Sequence, residues 1–150
     1  MENLLNETGT IVTGVIGDDV HNIGIKVIEH ALKHEGHKVV SLGIRISDEE
    51  FVGAAVEAKA DAVFVSSLSG HARALATTLR DKCTEAGLGN ILLYIGGHLV
   101  IGQVPWEDIK KTFEGMGFDR VYPASTLVAD IIKDLKTDLE RGKGAARERQ

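Results

Sequence analysis

The residues with the clearest chemical potential are Asp19 and His21, within the stretch Asp19-Val20-His21-Asn22-Ile23-Gly24. They follow a largely apolar run at residues 11–16, where a first strand is expected to give way to a first helix. An imidazole nitrogen is a good ligand for mid-row metals, and a carboxylate that accepts the other ring N–H sets the orientation and basicity of the ring. The pattern therefore indicates a metal-binding histidine, His21, oriented by Asp19.

This short motif alone does not identify a metal site, because Asp and His are common where a strand ends. The sequence around the loop offers no other Cys or His, and one histidine holds a bare metal ion weakly. A metal already held in a macrocycle needs only one axial ligand. Further motifs are therefore needed to choose between a surface loop and a macrocycle site.

Two such motifs follow apolar runs further along the chain. Ser66-Ser67-Leu68 follows the run at residues 62–65, and Gly96-Gly97 follows the run at residues 91–95. In this order, D-x-H-x-x-G, S-x-L and G-G resemble the cobalamin-binding fingerprint of adenosylcobalamin-dependent mutases and of methionine synthase. The flanking runs GVIG and MGFDRVYP are similar to the small subunits of glutamate mutase, also called methylaspartate mutase.

The resemblance implies how the cofactor would be held. The dimethylbenzimidazole tail of cobalamin would leave cobalt and enter a crevice beside the sheet, and His21 would become the lower axial ligand, with Asp19 accepting its other N–H. Ser66 would donate to the freed tail nitrogen, and Leu68 would supply apolar wall.

Glycines at the third motif would let the backbone approach the tail closely, because Gly96 and Gly97 have no Cβ. The expected cofactor-binding set is completed by residues bordering the three motifs: Asp18, Val20, Asn22, Gly24, Ser67, His98, Leu99, Val100, Ile101 and Gly102.

Apolar β-branched runs alternate with segments of helical period, which predicts repeated strand–helix units and a parallel sheet. Strands are predicted at residues 10–16, 38–42, 62–66, 91–95 and 119–122. Helices are predicted at residues 24–35, from a capping box at 47–50, and at 71–85, 105–115 and 125–141. Because crossovers are right-handed, we expect a flavodoxin-like (Rossmann-like) doubly wound sheet in the order 2-1-3-4-5, with all three motifs at one edge.

Several side chains carry predictions about exposure. In the second helix, Phe51, Val52, Ala55 and Val56 are expected to face inward. His34 and His37, at the end of the first helix, are expected to face solvent. His71 opens the third helix and is interpreted first as a surface residue, with contact to the corrin or a partner as the alternative.

Composition limits the function classes. Lys and Arg number 17 against 22 Asp and Glu, for a net charge of −5, which disfavours a nucleic-acid surface. The only basic cluster lies at residues 141–150, so we expect a cobalamin-binding domain at 1–141 and a disordered tail at 142–150. The single cysteine, Cys83, excludes an internal disulfide, and no signal-peptide or membrane-spanning pattern occurs, so a cytoplasmic location is expected.

The resemblance implies an enzyme subunit that binds adenosylcobalamin and interconverts glutamate and 3-methylaspartate by radical rearrangement. At 150 residues the chain has no room for a substrate barrel, so a large catalytic subunit would hold the substrate, with a heterotetramer expected and no catalytic residue in this chain. The alternative is a stand-alone corrinoid carrier or sensor. A phosphorylated receiver domain is rejected, because the third strand ends in Ser66-Ser67 where a receiver carries Asp.

Overall fold

Strands and helices alternate strictly along the chain. A computed structural model describes residues 8–16, 23–67, 72–97, 99 and 103–149. Within this part of the chain the elements are β1 (Thr10–Ile16), α1 (Ile23–His34), β2 (Lys38–Ser41), α2 (Asp48–Ala58), β3 (Ala62–Ser67), α3 (Ala72–Glu85), β4 (Leu92–Gly97), α4 (Trp106–Gly115), β5 (Arg120–Pro123) and α5 (Val128–Arg149). The predicted alternation is confirmed, and the predicted strand ends agree to within two residues.

The five strands form one parallel sheet in the order β2-β1-β3-β4-β5, as the sequence predicts. The register aligns the carboxyl ends of four neighbouring strands: Ile16 pairs with Ser67, Ser67 with Gly97, and Gly97 with Pro123. Segments far apart in sequence therefore meet along one edge of the sheet.

Each face of the sheet is covered by its own set of helices. Helices α1 and α5 bury one face, where Ile25, Leu32 and Leu135 meet Phe64 and Tyr94. Helices α2, α3 and α4 bury the other, through Phe51, Leu79 and Phe113 among others. Alternation of side chains along each strand thus divides the buried apolar strand residues between two separate cores.

Helix α2 shows how local sequence sets an element. The Ser47 hydroxyl accepts from the Glu50 amide, and the Glu50 carboxylate accepts from the Ser47 amide, each at 3.1 Å, which confirms the predicted capping box. Phe51 and Ala55 are buried four residues apart, as predicted. The inward prediction for Val56 is wrong: its side chain is 47% exposed, since it lies next to Ala55 and therefore a third of a turn away from the buried stripe.

Two histidines near the end of α1 were predicted to face solvent, and one of them does. His34 is exposed, but His37 is only 7% exposed, so the prediction for His37 is wrong. The Gly9 amide donates to His37 Nδ1 at 3.1 Å, since the segment before β1 runs beside the start of β2. This long-range contact has no signature in the local sequence.

Helix α5 continues to Arg149, past the end predicted near Arg141. The disorder expected for residues 142–150 stays a prediction. It is favoured by the two glycines at 142 and 144, each of which destabilises a helix by about 1 kcal/mol relative to alanine. Within the described residues, no helix combines the length and apolar character that crossing a bilayer requires.

Candidate functional site

A crevice of about 330 Å³ opens between the sheet and helices α1 and α5, at the carboxyl ends of β3, β4 and β5. Ile25 and Ile28 of α1 form one wall, and Val128 and Ile131 of α5 form the other. The volume lies within the range of about 300 to 1,000 Å³ found for small-molecule sites. Its position, next to the point where strand order reverses, is where doubly wound sheets bind ligands.

Ser66 supplies the crevice with a hydroxyl. Strand alternation places it on the same face as Phe64, towards α1 and α5, and it lines the crevice. Its side chain is half-buried and makes no hydrogen bond within the described part of the chain. The hydroxyl is therefore available to a ligand.

The two glycines at the end of β4 have different surroundings. A Cβ added at Gly96 would meet only Tyr122, at an ordinary 3.4 Å, and would point into the crevice. A Cβ added at Gly97 would overlap the Ser67 carbonyl oxygen, and Gly97 has a φ of +105°. Gly96 thus leaves room for a ligand, whereas position 97 must be glycine because the neighbouring backbone occupies the space of a Cβ.

Three aromatic rings form the floor of the crevice. Phe64 and Tyr94 stack with centroids 4.8 Å apart, and Tyr122 meets Tyr94 edge-on at 5.9 Å. Both arrangements are favoured by the ring quadrupoles and add to the area that the rings bury. The floor is accordingly apolar and aromatic.

Hydrogen bonds to α5 hold the two tyrosines in place. Tyr122 donates to Asp134 at 2.8 Å, and Tyr94 donates to Asp138. Arg120 also donates to Asp138, through Nε and Nη2, each at 2.9 Å. Burial and the neighbouring carboxylates raise the pKa of both phenols far above the usual range, so both remain protonated donors.

The wall made by α1 is attached to the sheet through a buried carboxylate, Glu29. Thr13 of β1 donates to Glu29, and Lys26 lies 3.3 Å from it. Burial raises the pKa of the Glu29 carboxyl, but hydrogen bonds from Ser41, Thr13 and Lys26 outweigh burial and leave the pKa below its ordinary value. The charged carboxylate thus joins α1 to β1 and β2.

The described structure brings together three of the residues predicted from sequence: Ser66, Gly96 and Gly97 line the crevice. Gly24 lies in the first turn of α1. Ser67 and Leu99 are buried and do not line the crevice; Leu99 belongs to the core beneath α2, α3 and α4. The other predicted site residues lie outside the described residues: Asp18, Asp19, Val20, His21, Asn22, Leu68, His98, Val100, Ile101 and Gly102, as does His71.

Sequence reasoning missed the side of the crevice formed by β5 and α5. Tyr122, Thr126, Val128 and Ile131 line it, and none was in the predicted set. The run MGFDRVYP, which contains Tyr122, was a usable signal, since it ends a strand at the same edge of the sheet. Within the described residues, no group of three or more His, Cys, Asp or Glu is placed to hold a metal ion.

Cys83 has no part in the site. It is a free thiol buried in the core beneath α2, α3 and α4, and burial raises its pKa.

Solved structures share this fold. A cobalamin-binding protein from Desulfitobacterium hafniense superimposes with a TM-score of 0.69 at 24% identity, over 86% of this chain and 58% of that one. A two-component response regulator of the LuxR family from Aurantimonas superimposes with a TM-score of 0.62 at 15% identity, over 89% of this chain and 86% of that one. The sheet architecture is therefore common to proteins of different function, and the likeness shows the fold alone.

Sequence similarity is more specific. Residues 9–118 match the model of the B12 binding domain. The glutamate mutase sigma subunit of Carboxydothermus hydrogenoformans is 50% identical over 129 residues, which cover 86% of this chain and 94% of that protein. The chain therefore belongs to the B12-binding domain family and, within it, to the glutamate mutase sigma subunits.

Proposed function

We propose that this chain binds adenosylcobalamin as the small subunit of a mutase that interconverts glutamate and 3-methylaspartate. The observation that carries the proposal is the crevice at the carboxyl edge, where the free Ser66 hydroxyl and the open side of Gly96 meet between the sheet and α1 and α5. Family membership supports the same function, since relatives of nearly equal length are glutamate mutase sigma subunits.

The crevice residues fit the nucleotide tail of cobalamin. A flat aromatic base would need apolar surroundings and a hydrogen-bond donor for a ring nitrogen that does not bind metal. Ile28 and Ile131 supply wall, the rings of Tyr94 and Phe64 supply floor, and Ser66 supplies the donor. Any side chain at position 96 would occupy the space that the base needs.

The remaining cofactor contacts are proposed from the sequence. His21 would supply the imidazole nitrogen that binds cobalt, and Asp19 would accept its other ring N–H, which fixes the tautomer that leaves the ligating nitrogen with a lone pair. When bound, adenosylcobalamin supplies the radical by homolysis of its cobalt–carbon bond. This chain would orient the cofactor: His21 would position cobalt, Ser66 would hold the tail, and α1 would form one wall of the tail site.

A large subunit of barrel type completes the enzyme in this proposal. It holds glutamate and covers the upper face of the corrin, and two copies of each subunit form a heterotetramer in the cytoplasm. The mixture of subunits should interconvert glutamate and 3-methylaspartate, whereas either subunit alone should not. A stand-alone carrier or sensor, the alternative function, would bind cobalamin with no mutase activity in the presence of any large subunit.

The ligation of cobalt by His21 can be tested by electron paramagnetic resonance. Protein labelled with nitrogen-15 histidine is loaded with cob(II)alamin, and the coupling of the unpaired electron to nitrogen-15 is measured. We expect coupling to one labelled nitrogen, its loss in His21→Ala, and its retention in the control variant His34→Ala, which alters an exposed histidine. Coupling to the cofactor's own base instead would overturn the assignment.

A further inference from the structure

We propose that Arg120, which does not itself line the crevice, is a positioning residue that holds the crevice floor and the α5 wall in place by joining two aspartates of α5. The inference rests on the proposed function, in that it takes the crevice as the place where the cofactor's tail binds. It also assigns a role to a residue of the run MGFDRVYP whose side chain lies outside the crevice.

Arg120 contacts both aspartates from β5. Its Nε and Nη2 donate to the two carboxylate oxygens of Asp138, each at 2.9 Å, and its Nη1 lies 3.7 Å from Asp134. A guanidinium that meets a carboxylate through two parallel N–H···O bonds fixes direction as well as distance. Asp134 and Asp138 are about one helical turn apart, so the single guanidinium reaches both.

Each aspartate in turn holds one ring of the floor. Tyr122 donates to Asp134 at 2.8 Å, and Tyr94 donates to Asp138. The chain contains only two tyrosines, so every phenol of the protein is bonded to a carboxylate that Arg120 also contacts. A change at Arg120 is therefore passed on to both rings.

The aspartates depend on Arg120 because both are partly removed from water. The side chains of Asp134 and Asp138 are 30% and 12% exposed, and two carboxylates one turn apart on a helix repel each other. Burial raises the pKa of Asp138, but hydrogen bonds from Arg120 and Tyr94 outweigh burial and leave that pKa below its ordinary value. Asp138 thus stays charged, and its oxygens remain acceptors.

Apolar packing alone does not fix the angle and spacing of α5. The buried apolar residues of α5 pack against the sheet, but hydrophobic contact has no preferred direction. Ile131, which lines the crevice, lies in the turn before Asp134, and the Cβ of Tyr122 lies 3.4 Å from the Cβ position of Gly96. The contacts of Arg120 therefore set the spacing between the α5 wall, the floor and the open side of Gly96.

The test compares adenosylcobalamin with adenosylcobinamide, the same corrinoid without the nucleotide tail, on the full chain, alone and together with the large subunit. Binding is followed by the change in the visible absorption of the corrin, and the ratio of the two dissociation constants measures the contribution of the tail. Arg120→Lys keeps the charge and loses the two-bond geometry. We expect it to lower this ratio by about tenfold, with the affinity for adenosylcobinamide unchanged.

Arg80→Lys is the matched control. Arg80 is also a partly buried arginine, and it donates to the Gly117 and Ile91 carbonyls at 3.0 and 2.8 Å and to Asp119 at 2.9 Å. None of these residues lines the crevice. Arg80→Lys should therefore lower the free energy of unfolding and leave the ratio of dissociation constants unchanged.

Tyrosine labelled with carbon-13 gives a second readout, by nuclear magnetic resonance, that needs no cofactor. Both tyrosines of the chain lie in the floor, so their ring resonances report the floor directly. Arg120→Lys should shift the resonances of both rings, whereas Arg80→Lys should shift neither. Asp138→Asn breaks the same contact from the other side, so it should lower the ratio and shift the Tyr94 resonances. It tests the contact even if Arg120→Lys does not fold.

The outcomes distinguish this inference from the function on which it rests. An unchanged ratio, or unchanged tyrosine resonances, in Arg120→Lys and Asp138→Asn would overturn the positioning role. An equal fall of the ratio in Arg80→Lys would do the same, by showing that any loss of stability weakens tail binding. Equal binding of the two corrinoids to the wild type would show that the crevice holds no tail and would remove the basis of the inference. Failure of both to bind, even with the large subunit, would overturn the proposed function, and the tyrosine resonances would still decide whether Arg120 positions the floor.

Discussion

At the scale of single residues, Gly96 and Gly97 are adjacent in β4 and yet face different constraints. The Cβ position of Gly96 opens into the crevice, while that of Gly97 lies only 2.1 Å from the Ser67 carbonyl oxygen. The same substitution at the two positions should therefore affect different properties of the protein.

Gly96→Ala should leave the free energy of unfolding within about 0.5 kcal/mol of the wild type, because Tyr122 lies at a normal contact distance. Cobalamin affinity should fall by about tenfold or more, since the methyl group occupies the ligand's space. Gly97→Ala should instead lower the free energy of unfolding by at least about 2 kcal/mol, through steric overlap and a positive φ. Urea unfolding and cobalamin titration of both variants measure these effects; a stable Gly97→Ala protein would contradict the assignment.

Ser66 has one expected interaction, with the tail nitrogen. Ser66→Ala should weaken cobalamin binding by about 0.5 to 1.5 kcal/mol, the net value of one hydrogen bond, and leave stability nearly unchanged because the hydroxyl has no partner within the described chain. Isothermal titration of the two proteins with cobalamin gives the difference. No loss of affinity would assign Ser66 a structural role only.

At the scale of elements, the position of α1 determines the width of the crevice. Ile25 and Leu32 bury its inner face, and Glu29 bonds to β1 through Thr13.

Thr13→Val keeps the side-chain shape and removes a hydrogen bond to the buried Glu29 carboxylate. We expect the free energy of unfolding to fall by about 1 to 3 kcal/mol at pH 7. The folded pKa of Glu29 lies below its ordinary 4.5, so the stabilisation by Glu29 is complete above pH 4.5 and is lost as pH falls through the folded value. Urea unfolding at pH 7 and at pH 4 should thus show a smaller difference between variant and wild type at the lower pH.

Thr112→Val is the matched control for that comparison. Thr112 donates only to the Asp108 carbonyl within its own helix, so its replacement should cost much less than Thr13→Val. Equal losses in the two variants would show that Glu29 does not depend on Thr13.

Across the whole molecule, the carboxyl and amino edges of the sheet have different roles. The carboxyl edge carries the crevice, whereas the amino edge is closed by contacts such as that between Gly9 and His37. Contacts at the amino edge should therefore affect global stability without affecting cofactor binding.

His37 makes this stability dependent on pH. Its Nδ1 accepts a hydrogen bond from the Gly9 amide, which only the neutral ring can do, and burial lowers its pKa more than Glu35 and Asp61 raise it. The folded state therefore binds a proton more weakly than the unfolded chain. The stabilisation is complete above the ordinary pKa of 6.5 and is lost as pH falls from 6.5 through the folded value.

The variant His37→Gln should lose about 0.5 to 1.5 kcal/mol at pH 7.5 and show a weaker decline in stability between pH 7 and pH 5.5 than the wild type. His34→Gln, a change at an exposed histidine three residues earlier, should keep the wild-type pH profile. Urea unfolding across this range is the measurement, and identical profiles for all three proteins would refute the role of His37.

The alternation of elements, the strand order and the edge that carries the site all followed from patterns in the sequence. Strand boundaries followed from apolar runs, α2 began at its capping box, and right-handed crossovers left few possible topologies. Ser66 and Gly96 could be placed at the site because each lies near the carboxyl end of a strand, and these ends meet at one edge of a parallel sheet. These are local or topological properties, and patterns along the sequence can therefore predict them.

The contacts that each side chain makes depended instead on how distant elements pack together. Tyr122 and Ile131 became crevice residues because α5 returns across the sheet, Gly97 proved to be required by the Ser67 carbonyl, and His37 was buried by a segment 28 residues away. Such contacts join segments that are distant in sequence, and their distances are set by packing of whole elements rather than by neighbouring residues. The shape and the hydrogen-bonding capacity of the crevice arise from that packing.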